Sequence, residues 1–427
     1  MDQRSQRGGT DALGHQGEGV RRTAVYDLVG GTVRSRVKLY AHTLFGDQTP
    51  EAFAESAGET LNSGLRREDE CGEQFNTGEN MSDTVKVVLC GCGGMSGTWF
   101  KAAESFDDIH IVGVVDLFPE VAEGRNQEFG LSAVVGTDLA SVIKETGAKA
   151  VFDVSVPDAH YGVTMSALNS DCHVLGEKPM ADTMVHAREM RNTAQEKGLT
   201  YAVIQNRRYT KDIIAFRDLV QVGGIGDLTT VNTDFYIGAH FSAGRDKRDF
   251  RDSMPHVLIL DMAIHSFDQA RFVSGKDPVS VYCHEWNPKG SWYDYDASAN
   301  CIFEMTDGVV YNYRGSWCAE GMNTTWECQW RVIGGKGGAL WDGAAEVAAE
   351  VVERQETFMN EKKSMEITLP GEIPYAGHRG LIRDFIDHIK GDGPVPQTVC
   401  TDNIKSLAMV HGAIESAETR KKVPIEI

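Results

Sequence analysis

The sequence predicts an α/β fold in two parts. A parallel sheet wrapped by helices comes first, and a second α/β domain with a mostly antiparallel, open sheet follows. Three observations carry this. Between residues 85 and 205, short β-branched runs alternate with helical stretches, the grammar of buried parallel strands and crossover helices. The first run, "VKVVLCG", opens directly into a glycine cluster. After 206 the pattern changes to long strands joined by the hairpin signals "MTDGVV" and "IGGKGGAL".

The elements read in order as follows. "VKVVLCG" is a buried strand, "GTWFKAAESF" a helix, "IHIVGVVD" a second strand and "PEVAEGRNQEFG" a helix. "AKAVFDVSVP" and "HVLGEKP" are strands on either side of the helical "AHYGVTMSALNS", and "TYAVIQNRR" closes this half. The helix "TKDIIAFRDLVQVG" then leads to the strand "LTTVNTDFYI", a polar loop over 238–256 and the apolar helix "LILDMAIHSFD". "PVSVYCHEW", "ASANCIFEM", "VVYNYRGSW", "WECQWRVIG" and "MEITLP" suit the antiparallel sheet, and two helices end the chain.

Length and composition set the frame. The chain has 427 residues, 41% of them hydrophobic, enough for two to three globular domains. Its formal net charge of -20 argues against a nucleic-acid surface, because little would neutralise phosphates. The nine cysteines are scattered and odd in number, and Cys90-x-Cys92 is too tight for zinc, so they read as buried thiols in a reducing compartment and no metal site is expected. No run reaches membrane-spanning length and the N-terminus lacks a secretory pattern, so no membrane association and a cytoplasmic location are expected. Residues 1–80 are rich in Gly, Arg, Glu, Gln and Ser without a sustained period, the composition of a disordered extension. Met81, just before the first strand, reads as the natural start; the competing reading is a true regulatory or targeting arm.

The glycine cluster has a chemical meaning. Gly91 permits a tight turn after the strand, and Gly93, with Gly94 and Met95 behind it, lets backbone approach a pyrophosphate at a helix N-terminus. The strict pattern wants a glycine where Ser96 stands. Asp116 ends the second strand, where an acid can hold both ribose hydroxyls of NAD and repel the 2′-phosphate of NADP. NAD is therefore the expected cofactor and NADP the alternative, with Arg125 within reach of the adenosine side.

"GEKPM" (176–180) stands at a strand's carboxyl end, the side on which open α/β sheets bind ligands. Lys178 there is either a snorkelling lysine or a site cation, and its bond to Pro179 is a candidate cis peptide. In "LDMAIHSFD", Asp261 and His265 are i and i+4 and so point from one helix face, and Asp268 extends the stripe or pairs with Arg271. A core histidine paired with Asp261 is the plain structural alternative.

The glycine loop, Asp116, "VPDAHY", "GEKPM" and "LDMAIHSFD" together resemble the Gfo/Idh/MocA family of NAD(P)-dependent sugar and polyol oxidoreductases, from Met81 to the C-terminus. The resemblance implies a Rossmann dinucleotide-binding domain over 81–205. It implies a substrate-binding and oligomerisation domain over 206–427, whose open sheet often makes homodimers or homotetramers. It also implies Lys178, Asp261 and His265 as the catalytic set, with Ser96 a mild departure from the pattern. The chemistry of these groups agrees: a histidine suits removal of a hydroxyl proton, a lysine stabilises a developing alkoxide, and a carboxylate orients either.

Pro157, His160 and Glu177 are expected around the nicotinamide, and Asn206 and Tyr209 at the substrate together with the catalytic three. The aromatic stretches "HEWNPKGSWYDYD" and "GSWCAEGMNTTW" read mostly as interface. The expected activity is hydride transfer between a sugar, polyol or inositol-like secondary alcohol and the cofactor. A glycosidase using bound NAD transiently and a non-catalytic NAD-sensing regulator are the alternatives. Specificity falls to the 238–256 loop and the second-domain sheet, and the loop's basic residues meet either an acidic or phosphorylated sugar or solvent.

Overall fold

The computed structural model describes residues 84–355, 358–368 and 370–427. The expectations for residues 1–80 and for Met81 lie outside the described residues.

The first sheet starts at β1 (Val85–Cys90), buried at every position but Lys86. There follow α1 (Ser96–Ala103), β2 (Ile109–Val115), α2 (Pro119–Glu128), β3 (Val134–Gly136), α3 (Leu139–Thr146), β4 (Ala150–Asp153), α4 (His160–Asn169), β5 (His173–Gly176), α5 (Met184–Lys197) and β6 (Tyr201–Val203). The strands are parallel in the order β3-β2-β1-β4-β5-β6, the doubly wound arrangement of a Rossmann sheet. Local chemistry sets the helix ends. The Asp138 side chain caps α3 by accepting from Ser141 N at 2.8 Å, and left-handed Gly147 stops it. Thr183 and Gly198 do the same for α5.

The second part begins with α6 (Lys211–Gln221) and β7 (Leu228–Tyr236). A π-helical turn (Leu258–Ala263) then runs straight into α7 (Ile264–Ser274). Six hairpin-rich strands come next: β8 (Pro278–Trp286), β9 (Ser298–Met305), β10 (Val310–Ser316), β11 (Gln329–Gly334), β12 (Gly337–Trp341) and β13 (Val347–Arg354). After them come β14 (Glu361–Met365), α8 (His378–Lys390), α9 (Cys400–Thr419) and β15 (Val423–Pro424). The nine-stranded sheet runs β14-β13-β12-β11-β7-β10-β9-β8-β15, antiparallel except for the β7–β10 pair. The strand expected at "MEITLP" lies earlier, over Glu361–Met365, where Met365 pairs with Ala349. It is an exposed edge strand, which needs no apolar run to hold it, so hydrophobicity pointed to the wrong residues.

Helices α6, α7 and α9 cover one face of this sheet, packing Phe216, Phe267 and Met409 onto Phe303, Tyr311 and Trp330. Its other face is open and carries the cross-strand row Tyr282, Ile302, Asn312, Asn232, Arg331 and Leu340. The last two helices return to the first sheet. α8 buries Leu381, Ile382, Phe385 and Ile386 against Trp99, Phe100 and Phe152, and α9 adds Ile404 and Leu407 on the opposite side. The helices therefore do not respect a division at 205/206.

The eight described cysteines are free thiols, all buried except half-buried Cys318. The aromatic stretches divide between core and surface. Tyr293 and Trp317 lie in the core, stacked at 6.1 Å, while Trp286, Tyr295 and Trp326 are exposed. Among the described residues no helix is long and apolar enough to cross a membrane.

Candidate active site

Three loops meet at the carboxyl ends of the parallel strands. Cys90 is paired with Asp153, and Asp153 with Gly176, so the glycine loop, the 154–157 loop and the Glu177–Lys178–Pro179 loop emerge side by side. The strand order reverses between β1 and β4, where open α/β sheets form their ligand crevice.

At the cofactor end Gly91 has φ +95°, and a Cβ there would lie 2.5 Å from Ser155 N and from Val154 C, so only glycine fits. Gly93, Gly94 and Met95 are exposed, with open space over both glycines at the start of α1. Ser96 is fully buried and its hydroxyl donates to Gly93 O at 2.7 Å, so the departure from the glycine pattern tightens the turn instead of blocking it. Asp116 accepts from Cys92 N at 2.8 Å and Phe118 N at 3.0 Å, which fixes its carboxylate beside the loop. Arg125 lies over the same loop, donating to Cys92 O and Gly93 O. A cradle of free N–H groups with a carboxylate at the ribose position fits a dinucleotide.

The cluster of predicted catalytic residues is built around Lys178, which follows β5 and is joined to Pro179 by a cis peptide bond. Its Nζ donates to Asp261 Oδ1 at 2.8 Å and to Asp261 O at 2.9 Å. Asp261 lies in the π-helical turn, and its other oxygen, Oδ2, accepts from Arg251 Nε at 2.6 Å. Burial alone would raise this carboxyl; the Lys178 and Arg251 charges outweigh it and hold it below the ordinary carboxylate range. His265, at the start of α7, is buried, and its Nδ1 has no partner. Burial, reinforced by the charges of Arg207, Lys178 and His378, pushes this imidazole well below its usual value and keeps it neutral.

Among the described residues no hydrogen bond joins Asp261 to His265. The carboxylate orients the lysine, not the imidazole, and the paired-histidine alternative fails with it. Asp268 does not pair with Arg271. It accepts from Arg208 at 2.6 and 2.5 Å and from Ser406 Oγ at 2.8 Å, while Arg271 binds Asp402 and Asp277. Asp268 is thus part of a buried clamp between the start of the second part, α7 and α9.

Other predicted residues divide. Glu177 is buried beneath the site, accepting from Trp99 Nε1 at 2.8 Å and Lys178 N at 3.1 Å. Burial would raise its carboxyl, but His378, with Nε2 3.7 Å away, and Trp99 hold it below the ordinary value. Pro157 opens a short 3-10 turn at the crevice, half-buried. His160 is a brace: its Nδ1 lies 2.7 Å from Pro179 O and its Nε2 3.0 Å from Ser155 O, tying two site loops together. Asn206 is half-buried at the start of a 3-10 turn. Tyr209 is not open to a substrate. It packs against Gly380, and its hydroxyl donates to Asp384 at 2.8 Å, because α8 returns to cover it.

The sequence reading missed Arg207, Arg251, Trp99 and His378. Arg207 stood in the same "QNRRY" from which Asn206 and Tyr209 were chosen, and Arg251 in the basic loop, so a signal existed for both. Trp99 and His378 carried none, since each reaches the site only through helix packing.

Residues 85–205 match the oxidoreductase family with an NAD-binding Rossmann fold, and residues 213–340 match the Gfo/Idh/MocA C-terminal domain, together more than half of the chain. This protein belongs to the Gfo/Idh/MocA family of NAD-binding oxidoreductases. It is 29% identical to an uncharacterized protein of Sinorhizobium fredii, y4oX, over 80% of this chain and 96% of that one. It is 28% identical to D-glucoside 3-dehydrogenase of Escherichia coli over 55% of this chain and 68% of the relative. An oxidoreductase from Agrobacterium radiobacter, solved with NAD+, L-tartaric acid and magnesium, shares the fold at a TM-score of 0.69 and 20% identity, covering 80% of this chain and 98% of that chain.

Proposed function

We propose that this protein is a dehydrogenase that oxidises a secondary alcohol of a sugar, polyol or inositol-like substrate, or reduces the corresponding ketone. The observation that carries this reading is the Lys178 ammonium, held through two of its three N–H groups by Asp261 beside a neutral, buried His265. The third N–H remains for the substrate oxygen.

The backbone of Gly91, Gly93, Gly94 and Met95 would receive the pyrophosphate, Asp116 the ribose, and Pro157 with Glu177–Lys178 would flank the nicotinamide. NAD supplies the hydride acceptor when bound. Lys178 orients the alcohol oxygen and stabilises the charge that grows on it as the proton leaves. His265 takes that proton: with Nδ1 buried, Nε2 is the ring atom left to meet a ligand, and a neutral imidazole is ready to accept. Glu177 fixes the backbone of Lys178 from below and has no role in proton transfer. The E. coli relative named as a glucoside dehydrogenase supports a carbohydrate substrate in general terms. The open sheet face, with Tyr282, Ile302 and Leu340 exposed, supports a homo-oligomer built on that face.

The test is NADH formation by the full-length chain with a panel of sugars, sugar acids, polyols and inositols, and NADH consumption with the matching ketones. Turnover with some member is expected. Absence of turnover across the panel with both NAD and NADP, in both directions, overturns the reading.

A further inference from the structure

The loop over 238–256 sends one cation into the catalytic cluster. Arg251 lies in the 3-10 turn Phe250–Ser253. Its Nε donates to Asp261 Oδ2 at 2.6 Å and its Nη1 to Asp249 Oδ1 at 3.1 Å. The guanidinium sits over the rings of Phe241 and Phe250, 4.6 and 4.4 Å from their centroids. Two carboxylates and two aromatic faces thus fix the plane of the group, a geometry suited to arginine and not to lysine.

We propose that Arg251 is a positioning residue: by sharing Asp261 it sets how firmly that carboxylate holds the Lys178 ammonium, and so ties the substrate loop to the group that meets the substrate oxygen. This rests on the role given to Lys178 under Proposed function. Asp261 divides its carboxylate, Oδ1 to Lys178 and Oδ2 to Arg251. The Arg251 guanidinium repels the Lys178 ammonium across the carboxylate they share, so each cation is held less tightly than it would be alone. With Arg251 in place, Lys178 is aimed but still able to give its third N–H to a ligand. With Arg251 gone, that repulsion is lost and Asp261 holds Lys178 unopposed.

A purely structural role, fastening the loop, is already served by other contacts. Trp292 Nε1 donates to Ala239 O at 3.0 Å, and Tyr293 Oη donates to the same carbonyl. Arg248 pairs with Asp294 at 2.9 Å, and Asp294 N donates to Asp252 O at 2.8 Å. The loop therefore has anchors at both ends that do not involve Arg251, and the Arg251–Asp261 bond is free to serve the site.

The test compares the full-length wild type with Arg251→Gln, Arg251→Lys and Asp249→Asn. Its readout is the rate at which a lysine-directed acylating reagent labels Lys178, followed by mass spectrometry, which needs no turnover. Arg251→Gln should label Lys178 at least about threefold more slowly, because the unshared carboxylate shields the amine. Arg251→Lys should recover most of the wild-type rate. Asp249→Asn, which leaves Arg251 to Asp261 alone, should label faster. On a substrate found by the panel, Arg251→Gln should lower kcat about tenfold or more with the KM for NAD unchanged. Equal or faster labelling in Arg251→Gln, the result of a loop merely released, overturns the proposal. If Arg251→Gln does not fold, an unchanged rate in Asp249→Asn overturns it. Failure of the whole panel overturns the dehydrogenase reading, and the labelling rates still decide the role of Arg251.

Discussion

Replacing Lys178 by Met removes the ammonium while keeping much of the side chain's length and apolar stem. Two effects follow from the distances. First, the N–H left over from Asp261 is lost to the substrate oxygen. A donor aimed at developing charge contributes about 2.7–4 kcal/mol, so kcat should fall about 10²- to 10³-fold. Second, Asp261 loses the partner at 2.8 Å and keeps only Arg251. Breaking a buried pair costs about 3–5 kcal/mol when the remaining charge is uncompensated, and the surviving arginine places this case at or below the low end, about 2–3 kcal/mol. The pH dependence has a definite sign. In the wild type the Asp261 carboxyl is depressed, so its pairing contributes stability above the unfolded value of about 3.9 and loses it as pH falls through the folded value. Without Lys178 only Arg251 opposes burial and the carboxyl rises, so the stability gap between the two proteins should be widest at neutral pH and narrow toward about pH 4. Steady-state kinetics and urea denaturation at several pH values measure both effects. A kcat within threefold of wild type, or a stability gap that widens on acidification, refutes the reasoning.

Gly91→Ala should weaken NAD binding more than tenfold by calorimetry. The added Cβ meets backbone at 2.5 Å and a φ of +95° strains alanine by about 1–3 kcal/mol, so an unchanged Kd would count against this loop as the cofactor cradle. Asp268→Asn should destabilise the fold by about 2–3 kcal/mol in urea by leaving Arg208 with Asp402 alone, while kcat of the folded enzyme stays unchanged; a large loss of kcat would instead place Asp268 in the chemistry. Burial keeps His265 well below its ordinary value of about 6.5, so kcat/KM should stay level as pH falls through 6.5 and decline only at lower pH. The unfolded chain binds that proton first, so the same burial makes stability fall below about pH 6.5. An acid limb centred near 6.5 contradicts the neutral buried base.

The parallel sheet was legible because its strands are buried on both faces and so appear as unbroken apolar runs, β1 above all. β3 has three residues and α5 buries only Ala187, Met190 and Ala194, so neither left a periodic signal strong enough to name. The glycine loop could be read to the residue, since the φ of Gly91 and the closeness of Ser155 are local requirements that no other residue meets. The partners of Tyr209 and His160 were not legible, for the opposite reason. Asp384 comes from a helix whose return is fixed by packing far along the chain, and the bond from His160 to Pro179 O depends on the turn that follows β5, which spacing does not reveal.

Asp261 and His265 show where a spacing argument stops. Four residues apart on an α-helix, they would share a face and pair with one another. The run "LILDMA" forms a π-helical turn instead, and such a turn is wider than an α-turn, so the two side chains no longer stack. Asp261 is carried to the cations of two different loops, and His265 is left among Arg207, Lys178 and His378 without a carboxylate of its own. Nothing in the composition of that hexapeptide marks the extra residue, because apolar residues suit a buried α-turn equally well. The consequence is chemical: a carboxylate beside the ring would raise its basicity, whereas burial among cations lowers it and keeps this imidazole in the neutral form. The local deviation that hid the geometry from the sequence is therefore also what separates the two groups, with Asp261 held by two cations and His265 left neutral.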